Sequence, residues 1–198
     1  ENGFNRLVPQ SPYNALIRNA FAFESMTVIA QQFRWAFGEF DSKDALWIEK
    51  NKELFEPTED KRLLVRRTLE EIDVLVITLG LSEVWYDKFS NEPLWRAMPK
   101  KYYDPGRHIF RIESLANSLS SLQKIDELRE RYLPKLKIIY TVSPVRLKAT
   151  FRSVSAITAN SASKAIVRAA LDEFLRSKPD LLNKVYFYFP SYEMVLDV

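Results

Sequence analysis

The chain has 198 residues, 46% hydrophobic and 28% charged, which is the size and make-up of one globular domain. That excludes a disordered tail, a collagen-like fibre and a disulfide scaffold. Its 29 basic and 26 acidic residues leave a net charge of +3, dispersed along the chain, so no basic stripe points to nucleic acid. Without cysteine, and with His108 as the single histidine, a thiolate nucleophile and a multi-histidine metal centre are excluded. Four glycines occur, and none are spaced as a dinucleotide fingerprint or a P-loop. No apolar run is long enough for a membrane-spanning helix.

In chain order, residues 4–8 read as a short strand already in progress. Met26, Ile29, Ala30, Phe33 and Phe37 form a helical stripe that stops at Gly38, a plausible left-handed terminus. Residues 60–72 read as a helix with Leu63, Leu64 and Leu69 apolar and Lys61, Arg62, Arg66 and Arg67 solvated. Residues 73–79, 136–142 and 184–189 read as strands. The first two are β-branched runs without clean alternation, the pattern of strands covered on both faces. Between them, residues 114–133 carry Leu115, Leu119, Leu122, Ile125 and Leu128 at helical spacing, with Pro134 after the last turn. Residues 161–176 place Ser163, Ile166, Val167, Ala170, Leu171 and Phe174 on one face and Lys164, Arg168 and Asp172 on the other. Strand, helix, strand, helix, strand predicts an α/β fold with three adjacent parallel strands and helices on both faces. Residues 85–110 are a long excursion holding Trp85, Trp95, Tyr102 and Tyr103, either a sugar-stacking platform or packed aromatic core.

In an open parallel sheet the ligand crevice lies beyond the carboxyl ends of the strands. There the chain places Gly80, Ser82 and Glu83 after the first core strand and Ser143 and Arg146 after the second. Gly80 permits a sharp turn, while Ser82 and Glu83 bring a hydroxyl and a carboxylate to the crevice; a tight turn with a helix cap is the competing reading. Ser143, held extended before Pro144, and Arg146 are candidate ligand contacts. Asn160 and Ser163 read as helix caps or substrate contacts. His108 reads as a substrate contact or as a turn residue bonded to backbone.

The strings Ile77-Thr78-Leu79-Gly80-Leu81-Ser82-Glu83-Val84-Trp85, Thr141-Val142-Ser143-Pro144-Val145-Arg146, Ala149-Thr150-Phe151, Ala159-Asn160 with Ser163-Lys164, and Phe189-Pro190-Ser191-Tyr192-Glu193 occur in that order. Together with Asn2-Gly3-Phe4-Asn5, Tyr13-Asn14 and Phe37-Gly38-Glu39-Phe40 upstream, they resemble the GSCFA domain family over most of the chain. That family is similar to the SGNH (GDSL-like) hydrolases. The resemblance implies a flavodoxin-like three-layer α/β/α sandwich with a mostly parallel sheet, and ester hydrolysis or acyl transfer, with acylated saccharides as a substrate class.

The superfamily's Gly-x-Asn-Asp block would fall on Gly80-Leu81-Ser82-Glu83. Ser82 then replaces the asparagine that donates to the oxyanion, and Glu83 replaces the aspartate. The family's Gly-Ser-Cys-Phe-Ala string, which would bring the nucleophile, and an Asp-x-x-His block, which would bring the base, are both absent from the sequence. The resemblance therefore implies a single domain over residues 1–198 that is cut at both ends, with an incomplete sheet and an inactive isolated chain. Its implied partner is a small-molecule or saccharide ester, with no nucleic acid, no membrane span and no cofactor, in a soluble chain that is cytoplasmic by default. The departures at Ser82 and Glu83 also support a different class, a non-catalytic ligand-binding or interaction domain on the same fold.

Overall fold

A computed structural model describes residues 25–41, 47–48, 54–94 and 98–196. The expected strand at residues 4–8, the slot beside it and Trp95 lie outside those residues. The elements are α1 (Met26–Ala36), β1 (Trp47–Ile48), β2 (Leu54–Phe55), α2 (Glu59–Glu71), β3 (Val74–Leu79), β4 (Glu83–Asp87), β5 (His108–Ile112), α3 (Leu115–Tyr132), β6 (Lys137–Val142), α4 (Ala156–Arg176), β7 (Tyr186–Phe189) and α5 (Ser191–Leu196). This is a mixed α/β fold.

The predicted core strands form one parallel sheet in the order β3-β6-β7. Leu79 lies opposite Val142, and Thr141 opposite Phe189, so the three strands end on a common edge. Helix crossovers make that arrangement possible, because parallel neighbours cannot be joined by a tight hairpin. β4 and β5 pair separately and antiparallel, from Glu83 opposite Ile112 to Asp87 opposite His108. Residues 85–110 thus begin and end in paired strands; they are not a free excursion. β1 and β2 form a further antiparallel pair.

One face of the parallel sheet carries Ile77, Leu79, Ile138, Tyr140, Val142 and Tyr186, all buried. It packs against the helices: Phe174 of α4 meets the Tyr140 and Tyr186 rings edge-on at 6.0 and 5.2 Å. Behind it, α1 packs on α3, and α3 on α4. The Tyr186 hydroxyl bonds to the buried Asp126 carboxylate and accepts from Arg129 Nε at 2.9 Å, and Lys178 Nζ reaches the same carboxylate at 2.6 Å. One polar knot therefore joins α3, β7 and the end of α4.

The opposite face departs from the expectation of cover on both sides, for Val76 is 59% exposed and Phe189 53%. Apolar sequence states what a face can bury, and packing decides what it does bury. Helix boundaries follow their caps. Ser25, Thr58, Ser114 and Ser155 each accept a first-turn backbone N–H, and Gly38 ends the α1 terminus at φ +73°. On α2 the buried residues are Val65, Thr68 and Leu69, while Leu63 is turned to the surface.

Candidate functional site at the carboxyl edge of the sheet

Residues after β3 and β6 meet at one edge. The Ser143 N–H donates to the Leu79 carbonyl at 2.8 Å, which continues the β3–β6 ladder one step past both strands. Ser191, opening α5 after β7, donates from Oγ to the Val142 carbonyl at 2.8 Å. Gly80, Ser82, Ser143 and Ser191 are thereby held at the same end of the sheet, as the topology demands.

Ser82 is 1% exposed. Its backbone N–H donates to Ser163 Oγ at 2.6 Å, and its own Oγ donates to the same oxygen at 3.2 Å. Its carbonyl accepts the Glu113 N–H at 2.7 Å. No helix follows Gly80; β4 begins at Glu83, so neither Ser82 nor Glu83 is a helix cap. Ser163 is not a cap either, nor is Asn160, because α4 starts five residues before residue 161, at Ala156, with Ser155 as its cap. Asn160 Oδ1 instead accepts the Leu147 N–H at 3.0 Å and fixes the segment that follows β6.

The Glu83 carboxylate accepts the Thr150 hydroxyl, with Oγ1 at 2.8 and 2.9 Å from its two oxygens. One proton shared between two acceptors pins the segment from β6 to α4 onto β4. Beside that clamp, Phe151 meets the Trp85 ring edge-on at 4.8 Å and the Phe110 ring at 5.5 Å, and Tyr103 meets Trp85 at 5.7 Å. Of the four aromatics predicted to act together, Trp85 and Tyr103 share this cluster. Tyr102 instead lines a pocket with Asp87, Asp104, Arg107 and His108.

Lys164 was expected on the solvated face of its helix and is 2% exposed. Its Nζ donates to the Gly80 carbonyl at 2.7 Å, and burial draws its pKa down to about 8. Sequence reasoning named Ser163 as a cap or substrate contact but missed Lys164, Thr150 and Phe151 as site residues. The one available signal was that each falls inside a short string shared with the resemblance, since nothing in helical spacing marks a lysine that turns inward.

His108 opens β5, opposite Asp87. Its Nδ1 accepts the Asp104 N–H at 3.0 Å, which leaves the proton of the neutral ring on Nε2. Burial lowers its pKa, with the neighbouring Arg107 charge acting in the same direction. The backbone bond that the turn reading of His108 requires is thus present. Four residue steps along β4 separate Asp87 from Glu83, roughly 14 Å of strand, so His108 cannot serve as base to Ser82. Arg146 is exposed on the segment after β6, where Ser143 Oγ accepts the Val145 N–H at 3.2 Å. Among the described residues no cluster of three or more His, Asp or Glu side chains is placed to hold a metal ion.

What this edge offers chemically is a rigid frame with few free groups. Ser82 and Glu83 are both engaged, and a neutralisable ammonium stands beneath Gly80. Comparison with family models gives one match, to the GSCFA family, over residues 4–198. No curated protein and no solved structure matches the chain.

Proposed function

Because the chain belongs to the GSCFA family, we propose that it is an SGNH-like domain of ester hydrolysis or acyl transfer, built on a flavodoxin-like α/β/α sandwich. The observation that carries this reading is the convergence of Gly80–Glu83, Ser143, Asn160 and Ser191 on the carboxyl edge of a β3-β6-β7 parallel sheet. Gly80 and Ser82 form the turn against which a substrate carbonyl would rest. Glu83 and Asn160 hold the segment after β6 in place, and Ser143 and Arg146 face the ligand's polar part. Acylated saccharides are the substrate class this reading favours. We do not assign the alcohol of Ser82 as the nucleophile, since it is buried and bonded to Ser163, and His108 serves its own turn. Nucleophile and base must then be groups other than these two. We therefore expect no serine-dependent turnover from the 198-residue chain alone.

A second reading rests on the same bonds. Ser82 and Glu83 spend their polar atoms on Ser163 and Thr150, which suits a domain that binds a ligand without transforming it. A short-chain aryl ester assay decides between them, run on the chain and on its full reading frame. Serine-dependent hydrolysis by the full frame supports the esterase reading. Its absence there, with ligand binding retained, selects the second. Hydrolysis by the chain alone, abolished by Ser82→Ala, would overturn the placement of the chemistry.

A further inference from the structure

The segment that links β6 to α4, with the first turn of that helix, covers residues 143–157. It combines two features. Three of its apolar side chains are largely exposed: Val145 is 70% exposed, Ile157 82%, and Phe151 63% on the side away from the Trp85 and Phe110 rings. Between them stand Arg146, Lys148 and Arg152, and no acidic residue occurs in the stretch.

The surroundings of these cations differ from those of several helix arginines. Arg62, Arg66, Arg129, Arg131, Arg168 and Arg176, on the helices, each pair with a carboxylate. Arg146, Lys148 and Arg152 form no ion pair among the described residues. Two carboxylates at this end of the sheet are already engaged, Glu83 by Thr150 and Glu193 by Arg168 and Tyr188. The segment is also anchored at its middle, by Asn160 to Leu147 and by Glu83 to Thr150, so its side chains are presented from a fixed base. The end of β7 and helix α5 add exposed Phe189 and Met194 at the same end of the molecule.

We propose that residues 143–157 are a docking surface for an anionic lipid interface, and that the carboxyl edge of the sheet faces that interface. The cations would meet lipid phosphates while Val145, Phe151 and Ile157 enter the headgroup boundary, the division of labour seen wherever basic and apolar side chains alternate at a bilayer surface. An irregular segment whose most exposed apolar side chains, Val145 and Ile157, are twelve residues apart in sequence suits a fluid surface, which needs no shape complementarity. A protein partner of acidic surface would bury a contiguous apolar centre, whereas here cations alternate with the exposed apolar side chains. The surface shares Ser143 and Arg146 with the ester site proposed above, but lipid binding is read without turnover, so failure of one reading is distinguishable from failure of the other.

The test is co-sedimentation of the 198-residue chain with vesicles of phosphatidylcholine alone and of phosphatidylcholine with about one third phosphatidylglycerol, in low and high salt. Each cation near the surface contributes about fivefold to the partition coefficient. Arg146→Glu with Lys148→Glu should therefore lower binding to anionic vesicles more than tenfold, and Phe151→Ser with Ile157→Ser should lower it about tenfold. Should the second pair misfold, Ile157→Ser alone keeps the test, since that side chain is almost wholly outside. Binding that weakens in high salt and in these variants supports the proposal. No binding to anionic vesicles, equal binding to neutral ones, or binding that all variants retain would overturn it, the last two even if an acidic protein binds the same face.

Discussion

Replacing Lys164 by methionine isolates the electrostatic cost of the buried ammonium, because methionine keeps most of the stem and removes the charge. Burial lowers the Lys164 pKa from 10.5 to about 8. Below pH 8 both folded and unfolded chains carry the proton, and the full cost of burying the charge is present. Between the two values the unfolded chain binds more protons than the folded one, so stability rises with pH and the cost is gone above the unfolded value. The whole shift corresponds to about 3 kcal/mol, and the part expected between pH 7 and pH 9 is about 1.3 kcal/mol. The Gly80 carbonyl, left without its donor in Lys164→Met, loses about 1 kcal/mol at every pH and does not change the slope. Urea unfolding of both proteins from pH 7 to pH 10 at constant ionic strength gives the comparison. The wild type should gain on the variant by about 1.3 kcal/mol from pH 7 to pH 9. A difference that stays constant, or that moves in favour of the variant, would refute the buried, uncompensated ammonium.

Three further outcomes follow from named contacts. His108, the one histidine of the chain, should titrate below its ordinary 6.5 in proton NMR and be the Nε2–H tautomer when neutral; a midpoint above 6.5 would contradict the Asp104 N–H bond at Nδ1. Since its folded pKa is depressed, the stability it protects is lost as pH falls below 6.5, and an asparagine variant should flatten that loss. Asp126→Ala removes the acceptor shared by Tyr186, Arg129 and Lys178 and should lower stability by about 3–5 kcal/mol in urea unfolding, against less than 1 kcal/mol if the knot is incidental. Ser163→Ala strands the buried Ser82 N–H and should cost about 1–3 kcal/mol by the same measurement; no change would mean that the bond is not formed in solution.

The three parallel strands were legible because long apolar β-branched runs have one economical use, and their observed ends lie within two residues of the reading at 73–79, 136–142 and 184–189. Helix α3 was equally plain, with Ser114 as cap and Pro134 beyond its end. The start of α4 was hidden because Ala156, Ile157 and Thr158 show no period before the apolar face begins, and the cap that decides the matter is a single serine among several. β4 and β5 were missed for a different reason. Each is five residues long and finds its partner across some twenty residues of intervening chain, so the pairing is long-range information that no local window holds.

The candidate site was half legible by the same logic. Positions after strand ends can be named from topology alone, which placed Gly80, Ser82, Glu83 and Ser143 at one edge. What those side chains touch depends on a helix arriving from residue 156 onward, and that is tertiary. Lys164 shows the limit most clearly. A lysine in a helical pattern reads as solvated unless its neighbours are known, and only the approach of Gly80 turns it into a buried donor.

The central claim is that chemistry, or ligand recognition, belongs to the carboxyl edge of the sheet and not to the His108 pocket at the far end of β4 and β5. The direct measurement is kcat/KM for an aryl ester in the full reading frame, compared for wild type, Glu83→Gln and Asp104→Asn. Loosening the Glu83–Thr150 clamp should lower kcat/KM by about tenfold or more, since displacing a substrate-positioning segment by a fraction of an ångström is enough for that. Asp104→Asn, beside His108, should stay within about twofold of wild type. A loss confined to Asp104→Asn, with Glu83→Gln unchanged, would contradict the account.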